Sequence, residues 1–130
     1  MKIDWEKCIE AGVAAIPSEY REKIANVAIL LEDEPSDEVR VQEGLSDDET
    51  LLGLYQGVPL PERGEGYGVG VTMPDTITIY KGPTLEESED TDGDVARIVR
   101  ETIWHEFGHY FGLDEEEVRH REAKRAEKGT

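Results

Sequence analysis

The stretch DVARIVRETIWHEFGHYFG, residues 94–112, has the clearest structural pattern in the chain. Its apolar side chains recur at the spacing of one helical face. They are Val95, Val99, Ile103, Phe107 and Tyr110. Asp92 or Asp94 is placed to cap the start of a helix, and Gly112 is placed to end it. The stretch therefore predicts one helix that packs this apolar face against a core.

The same helix carries the HExxH pattern, as His105-Glu106-Phe107-Gly108-His109. At about 3.6 residues per turn, positions 105 and 109 differ by about 40° around the helix axis, so both imidazoles can face one zinc ion. Glu106 lies about 100° away, where its carboxylate can reach a water beside the metal without becoming a ligand. Zinc lowers the pKa of such a water to about 7. The pattern therefore predicts a zinc-dependent hydrolase, most simply a peptidase, with Glu106 as its general base.

A catalytic zinc site needs a third protein ligand, and the acidic residues that follow the motif can supply it. Extending the pattern to HExxHxxGxxE places Glu115 where longer motifs carry that ligand, so Glu115 is the first candidate and Glu116 the second. Asp114 and Glu117 have the spacing of a capping box for a last helix that starts near residue 114. His120 lies at least one turn further on. Each acid here could instead be a favourable charge at a helix N-terminus.

Length and charge restrict the classes of protein that the chain can represent. Its 130 residues fit one domain, 1–130. The 31 acidic residues outnumber the 14 basic ones and give a net charge of -17, which disfavours nucleic acids and anionic membranes as partners. No apolar run approaches the roughly 20 residues of a membrane span, and MKIDWEKCIE is too charged for a secretory signal. We therefore expect a cytoplasmic protein. The peptidase chemistry predicted from the HExxH pattern implies a peptide or protein substrate as its partner.

Helices and a long loop are predicted before the HExxH helix. Apolar spacing after Asp4 predicts a helix over residues 4–16. This helix includes Cys8, the single cysteine, which we expect to be a packed thiol without a disulfide partner. SEYREKIA predicts a short helix from Ser18. The polar segment 36–49 leaves room for another, whereas the prolines and glycines of 59–71 predict a long loop.

Three strands are also predicted. NVAILLEDE (26–34) has a continuous apolar run that predicts burial on both faces, and TLLGLYQGV (50–58) predicts a second strand. DTITIYKG (75–82) alternates threonine with larger side chains, which favours a half-exposed strand at a sheet edge. Helices and strands in this order predict an α+β fold.

In these blocks the chain resembles the zincin metallopeptidases, and more closely a group of very small bacterial zincin-like domains, the minimal zincins. The blocks are NVAILLEDEP, LLGLYQGVPL, TITIYKGP and, as the most specific, ETIWHEFGHYFGLDEEEVR. The resemblance implies a small mixed sheet packed on helices, with the HExxH helix near the C-terminus. It also implies Zn(2+) as the cofactor and an extended peptide that adds antiparallel to an edge strand.

The strand around Ile77 and Ile79, or the one around Leu54, could bind that peptide, with Tyr80 as a further contact. Tyr80 is also a candidate for stabilising the oxyanion, as are Arg119 and His120.

The chain departs from the larger zincin families in two ways. No methionine follows Met73, so the Met-turn of the metzincins is absent. The sequence ends at residue 130, soon after His109, so we expect no second domain to form the other wall of the cleft. We therefore expect poor cleavage of folded or long substrates.

Two other functions stay open from the sequence. One is a non-catalytic metal- or peptide-binding module, in which zinc holds the last two helices together. The other is a metal-dependent hydrolase that acts on a different substrate. The sequence also leaves open whether zinc or another divalent ion fills the site.

Overall fold

A small mixed sheet and five helices form the described part of the chain, which comprises residues 3–64, 73–91 and 94–113 of a computed structural model. The elements in chain order are α1 (Trp5–Ala14), α2 (Ser18–Arg21), β1 (Val27–Glu32), α3 (Asp37–Gln42), β2 (Gly53–Gln56), a 3-10 turn (Leu60–Glu62), β3 (Asp75–Tyr80), α4 (Lys81–Thr91) and α5 (Val95–Tyr110). This order confirms the α+β prediction and the position of the HExxH helix, α5. Residues 65–72 of the predicted loop and the last helix predicted from residue 114 lie outside the described residues.

Strand β3 lies at the centre of the described sheet, between β1 and β2. It pairs parallel with β1 and antiparallel with β2, which places Gly53 opposite Ile79. The prediction of β3 as an edge strand is therefore wrong. Ile77 and Ile79 are fully buried, and Thr78, which points to the opposite face, is only 5% exposed. The alternation of threonine with larger side chains predicted one exposed face, but in the structure both faces of β3 are covered.

Strand β1 corrects a second expectation. Its continuous apolar run predicted burial on both faces, yet Leu30 is 43% exposed and β1 occupies an edge of the described sheet. An apolar run thus gave the correct strand and the wrong degree of burial.

The core lies where α5 packs against α1 and the sheet. The apolar face of α5 supplies Val99, Ile103, Phe107 and Tyr110, all at most 2% exposed, which confirms the face predicted from spacing. Cys8 of α1 is half-buried against this core, and burial raises the pKa of its thiol. None of the helices in the described ranges has the length and apolar character needed to cross a lipid bilayer.

Helix α4 was not predicted. It begins at Lys81, directly after β3, and contains Gly82 and Pro83 in its first turn, where proline is well tolerated. The hydroxyl of buried Thr84 donates a hydrogen bond of 2.7 Å to the carbonyl of Tyr80, which joins the new helix to the strand. Most of its other residues are acidic or polar, so its apolar spacing is weak.

Candidate functional site

Helix α5 runs without interruption through the HExxH pattern. Its start is capped by Asp94, whose side chain accepts a hydrogen bond from the Ala96 N–H at 3.0 Å, as predicted. At its end, Gly112 adopts a φ of 89° and its N–H donates to the carbonyl of His109. The N–H of Leu113 then donates to the carbonyl of Gly108 at 3.0 Å. Because a positive φ favours glycine, Gly112 ends the helix as predicted.

The two histidines of the pattern are neighbours on one side of α5. Their ring centroids are 5.3 Å apart and the ring planes make an angle of 73°. Both residues are half-buried rather than enclosed in the core. The spacing of His105 and His109 therefore gives the paired imidazoles that the sequence predicts, and imidazole nitrogen is a preferred donor to zinc.

The orientation of His109 is fixed by the turn at the end of α5. Its Nδ1 lies 3.0 Å from the carbonyl oxygen of Leu113. A carbonyl oxygen only accepts hydrogen bonds, so Nδ1 must carry the hydrogen, and Nε2 is then the acceptor nitrogen of the neutral ring. A backbone carbonyl that holds the second ring nitrogen is a common partner of metal-binding histidines. Nε2 is therefore the ring nitrogen of His109 that could bind a metal.

Glu106 is held between α5 and the strand β2. Its side chain is largely buried, and Oε1 accepts a hydrogen bond from the backbone N–H of Tyr55 at 2.9 Å. The other carboxylate oxygen, Oε2, lies 4.0 Å from Nε2 of His105. The carboxylate thus has one oxygen directed to the strand and one on the side of the histidines, which fits a general base beside a metal.

A glycine allows β2 to come this close to α5. A Cβ atom at Gly53 would lie 2.6 Å from Cγ2 of Thr102 and 2.9 Å from the carbonyl oxygen of Thr78. It would also lie 3.6 Å from Cγ of Glu106. The contact between Tyr55 and Glu106 therefore depends on the absence of a side chain at position 53.

Two hollows share Tyr55 and His109 in their linings. One has a volume of about 300 Å³ and is also lined by Glu106, Gly53 and Leu54. The other has a volume of about 400 Å³ and lies against the turn of Leu60–Glu62 and the end of α5. His109 and Glu106 are thus accessible from space large enough for parts of an extended peptide.

A buried ion pair that was not predicted supports the other side of Tyr55. Arg63 Nη2 lies 2.7 Å from Oδ2 of Asp75, and the two side chains are 6% and 2% exposed. The Tyr55 hydroxyl donates to the same Oδ2, and the N–H of Val58 donates to Oδ1 at 3.1 Å. Burial, and then the hydrogen bond to Asp75, raise the pKa of Tyr55 well above its usual value.

The sequence carried a weak signal for this ion pair. Arg63 is the one basic residue between Arg40 and Lys81, and it stands in a segment rich in proline and glycine. Asp75 opens a strand that otherwise contains only threonine, isoleucine and tyrosine. A charged residue in each of these settings indicates a buried partner.

The structure corrects the predicted substrate contacts on β3. Ile77, Ile79 and Tyr80 are at most 1% exposed, because β3 is the central strand. They are core residues and cannot pair with an added peptide. Burial, followed by the nearby carboxylate of Glu32, raises the pKa of Tyr80. The alternative strand around Leu54 is β2, which lies at the other edge of the described sheet.

The third metal ligand stays a prediction. Within the described ranges, no three side chains of histidine, cysteine, aspartate or glutamate form a group that could hold a metal ion. The residues predicted to complete the site lie outside those ranges, as do two of the three candidates for stabilising the oxyanion, whereas the third, Tyr80, is buried in the core. The residues outside the described ranges are Glu115, Glu116, Asp114, Glu117, Arg119 and His120.

Comparisons with known proteins bear on the family of this chain. A conserved hypothetical protein from Thermus thermophilus has a similar structure, with 21% sequence identity, a TM-score of 0.48 and coverage of 94% of each chain. A search of curated proteins found no match. The sequence model of a family of zincin-like metallopeptidases matches residues 24–125, which include the three strands and α5. The chain therefore belongs to the zincin-like metallopeptidase family.

Proposed function

We propose that this protein is a zinc-dependent peptidase in which His105 and His109 hold the metal and Glu106 is the general base. The observation that carries the proposal is the position of Glu106, whose Oε1 is held by the Tyr55 N–H while Oε2 lies on the side of the histidines. When bound, zinc supplies Lewis acidity and lowers the pKa of a water to about 7. The third ligand in this proposal is Glu115, with Glu116 as the second candidate.

The protein side chains have separate tasks in this mechanism. His109 is oriented by the Leu113 carbonyl, which keeps the hydrogen on Nδ1, so that Nε2 would be the nitrogen that holds the metal. Glu106 accepts a proton from the attacking water at Oε2 and transfers it to the nitrogen of the leaving amine. The hydrogen bond at Oε1 keeps the carboxylate from rotating during both steps.

The substrate in this proposal is an extended peptide that adds to β2. Leu52 accepts a hydrogen bond from Tyr80 of β3. In an antiparallel pair such contacts alternate along the strand, so Gly53 and Tyr55 direct their backbone groups away from β3. The Tyr55 N–H is used by Glu106, whereas the backbone of Gly53 and the carbonyl of Tyr55 are positioned to pair with a peptide. The peptide would then lie beside the hollow lined by Glu106 and His109.

The test is the Glu106→Gln variant, assayed with a broad peptide library and with metal analysis of the purified protein. We expect it to retain zinc and to lose hydrolysis by at least about 100-fold, because the amide cannot accept the proton. Glu101→Gln is the matched control, since Glu101 is an exposed residue of the same helix that pairs only at the surface with Arg97. Hydrolysis retained by Glu106→Gln would overturn the assigned role. Zinc binding without cleavage of any peptide by the wild type would instead support a binding module.

A further inference from the structure

Tyr55 contacts two carboxylates through different atoms. Its backbone N–H donates to Oε1 of Glu106, and its phenol hydroxyl donates to Oδ2 of Asp75. The two acids belong to different elements, α5 and β3. We propose that Tyr55 is a positioning residue, through which the buried Arg63–Asp75 ion pair fixes the general base Glu106. The proposal rests on the peptidase function proposed above, because it assigns Glu106 its catalytic role.

Asp75 provides a fixed anchor for the phenol. Its carboxylate is buried and receives donors from Tyr55, Val58 and Arg63. Arg63 is itself held by further contacts, two of which are to backbone carbonyls. Its Nη1 donates to the carbonyl of Ala25 at 2.8 Å, and its Nε donates to the carbonyl of Val58 at 3.0 Å. Charge-assisted hydrogen bonds between buried groups restrict motion strongly. The position of the Tyr55 hydroxyl is therefore determined by the segment before β1, by the first residue of β3 and by the segment after β2.

The restraint on the phenol reaches Glu106 through the backbone of Tyr55. With its ring fixed at the hydroxyl, Tyr55 has less freedom to move its backbone, and its N–H points steadily at Oε1 of Glu106. Without the hydroxyl, the end of β2 loses its link to the buried ion pair and keeps its pairing with β3 and its packing against α5. Displacements of about 1 Å in a catalytic group can reduce the rate by about 100-fold. A network that ends on the general base thus acts chiefly on the rate constant, and on peptide binding only through the Tyr55 carbonyl.

The kinetic test compares Tyr55→Phe with Thr84→Val. Tyr55→Phe removes the hydroxyl and keeps both the ring and the backbone N–H, so kcat should fall by about 10- to 100-fold while KM changes by a smaller factor. Thr84→Val removes another buried hydroxyl, which binds the Tyr80 carbonyl away from this network, and controls for lost stability. Its kcat should equal that of the wild type well below the unfolding temperature. Equal kcat values in all three proteins would overturn the proposal.

A second measurement does not depend on activity. Amide hydrogen exchange of residue 55 should become about 10-fold faster in Tyr55→Phe, with no metal added, because its hydrogen bond to Glu106 opens more often. The Tyr80 amide, which donates to Leu52 at the same pair of strands, is the internal control and should keep its exchange rate. An unchanged rate at residue 55 would overturn the proposal even in an active peptidase. If the wild type cleaves no peptide, the peptidase function fails, whereas faster exchange at residue 55 still supports the coupling.

Discussion

The backbone N–H of Tyr55 and Oε1 of Glu106 are joined by a hydrogen bond of 2.9 Å, although the residues are 51 positions apart in sequence. This contact connects the edge strand of the described sheet to the HExxH helix at the residue that we propose as the general base. The hydrogen bond therefore holds β2 at a fixed distance from Glu106. A peptide that adds to β2 would then also lie at a fixed distance from this carboxylate.

Gly53→Ala should separate β2 from α5. The added Cβ would meet Cγ2 of Thr102 at 2.6 Å and the Thr78 carbonyl at 2.9 Å, and overpacking of this kind costs about 1–3 kcal/mol. We expect this loss in the free energy of unfolding, measured with denaturant, together with a fall in kcat. Gly64→Ala is the control, because no described atom lies within 4 Å of a Cβ at that position. Similar losses in the two variants would show that close approach at Gly53 is not the cause.

Arg63→Ala should destabilise the protein far more than the loss of a surface ion pair. It leaves the carboxylate of Asp75 buried with its charge uncompensated, which typically costs about 3–5 kcal/mol. Arg97→Ala breaks the exposed pair with Glu101 and should cost less than about 1 kcal/mol. Denaturant unfolding of both variants measures the difference. Equal effects would mean that Arg63 does not compensate Asp75 in solution.

Removal of the metal with a chelator should stop hydrolysis and leave the protein folded. The buried face of α5 packs on α1 and the sheet through apolar side chains, so the core does not require zinc. The melting temperature should fall, because a metal that binds only the folded state at about 100 times its Kd stabilises it by about 2.7 kcal/mol. Circular dichroism before and after chelation shows whether the protein stays folded and how far its melting temperature falls. Complete unfolding on chelation would instead identify the metal as structural.

Stability should decrease in alkaline solution, because the pKa of Tyr55 and the pKa of Tyr80 are both raised by burial. Above about pH 10 the unfolded chain loses phenol protons that the folded protein keeps, so the free energy of unfolding falls as pH rises. Below about pH 10 this contribution is fully present. Urea unfolding at several pH values gives the slope of the free energy of unfolding against pH, and Tyr80→Phe should make this slope smaller. An unchanged slope in that variant would contradict the assignment to Tyr80.

The sequence was sufficient for α5 because the information is local. Helical spacing, the Asp94 cap and the Gly112 stop lie within one segment, and they place His105 and His109 on one side without reference to the rest of the chain. The same is true of the strand β2, which was predicted within a few residues of its observed bounds.

The errors arose where distant segments decide the outcome. The alternation in β3 does not reveal that both faces are covered, so Ile77 and Ile79 appeared suitable for binding a peptide although they are core residues. The contacts of Tyr55 with Asp75 and Glu106 join residues separated by 20 and 51 positions, and no local pattern encodes them. Helix α4 was missed because its mostly acidic and polar residues give little apolar periodicity.

The turn at Gly112 links the length of α5 to the chemistry of His109. By reversing the chain immediately after the helix, it returns the Leu113 carbonyl to Nδ1 and so selects one tautomer of the ring. A sequence change that extended α5 by another turn would keep both histidines and lose this acceptor. Because partners of this kind contribute about 10- to 100-fold to metal affinity, the place at which the helix stops would help to set how tightly the proposed site holds a metal.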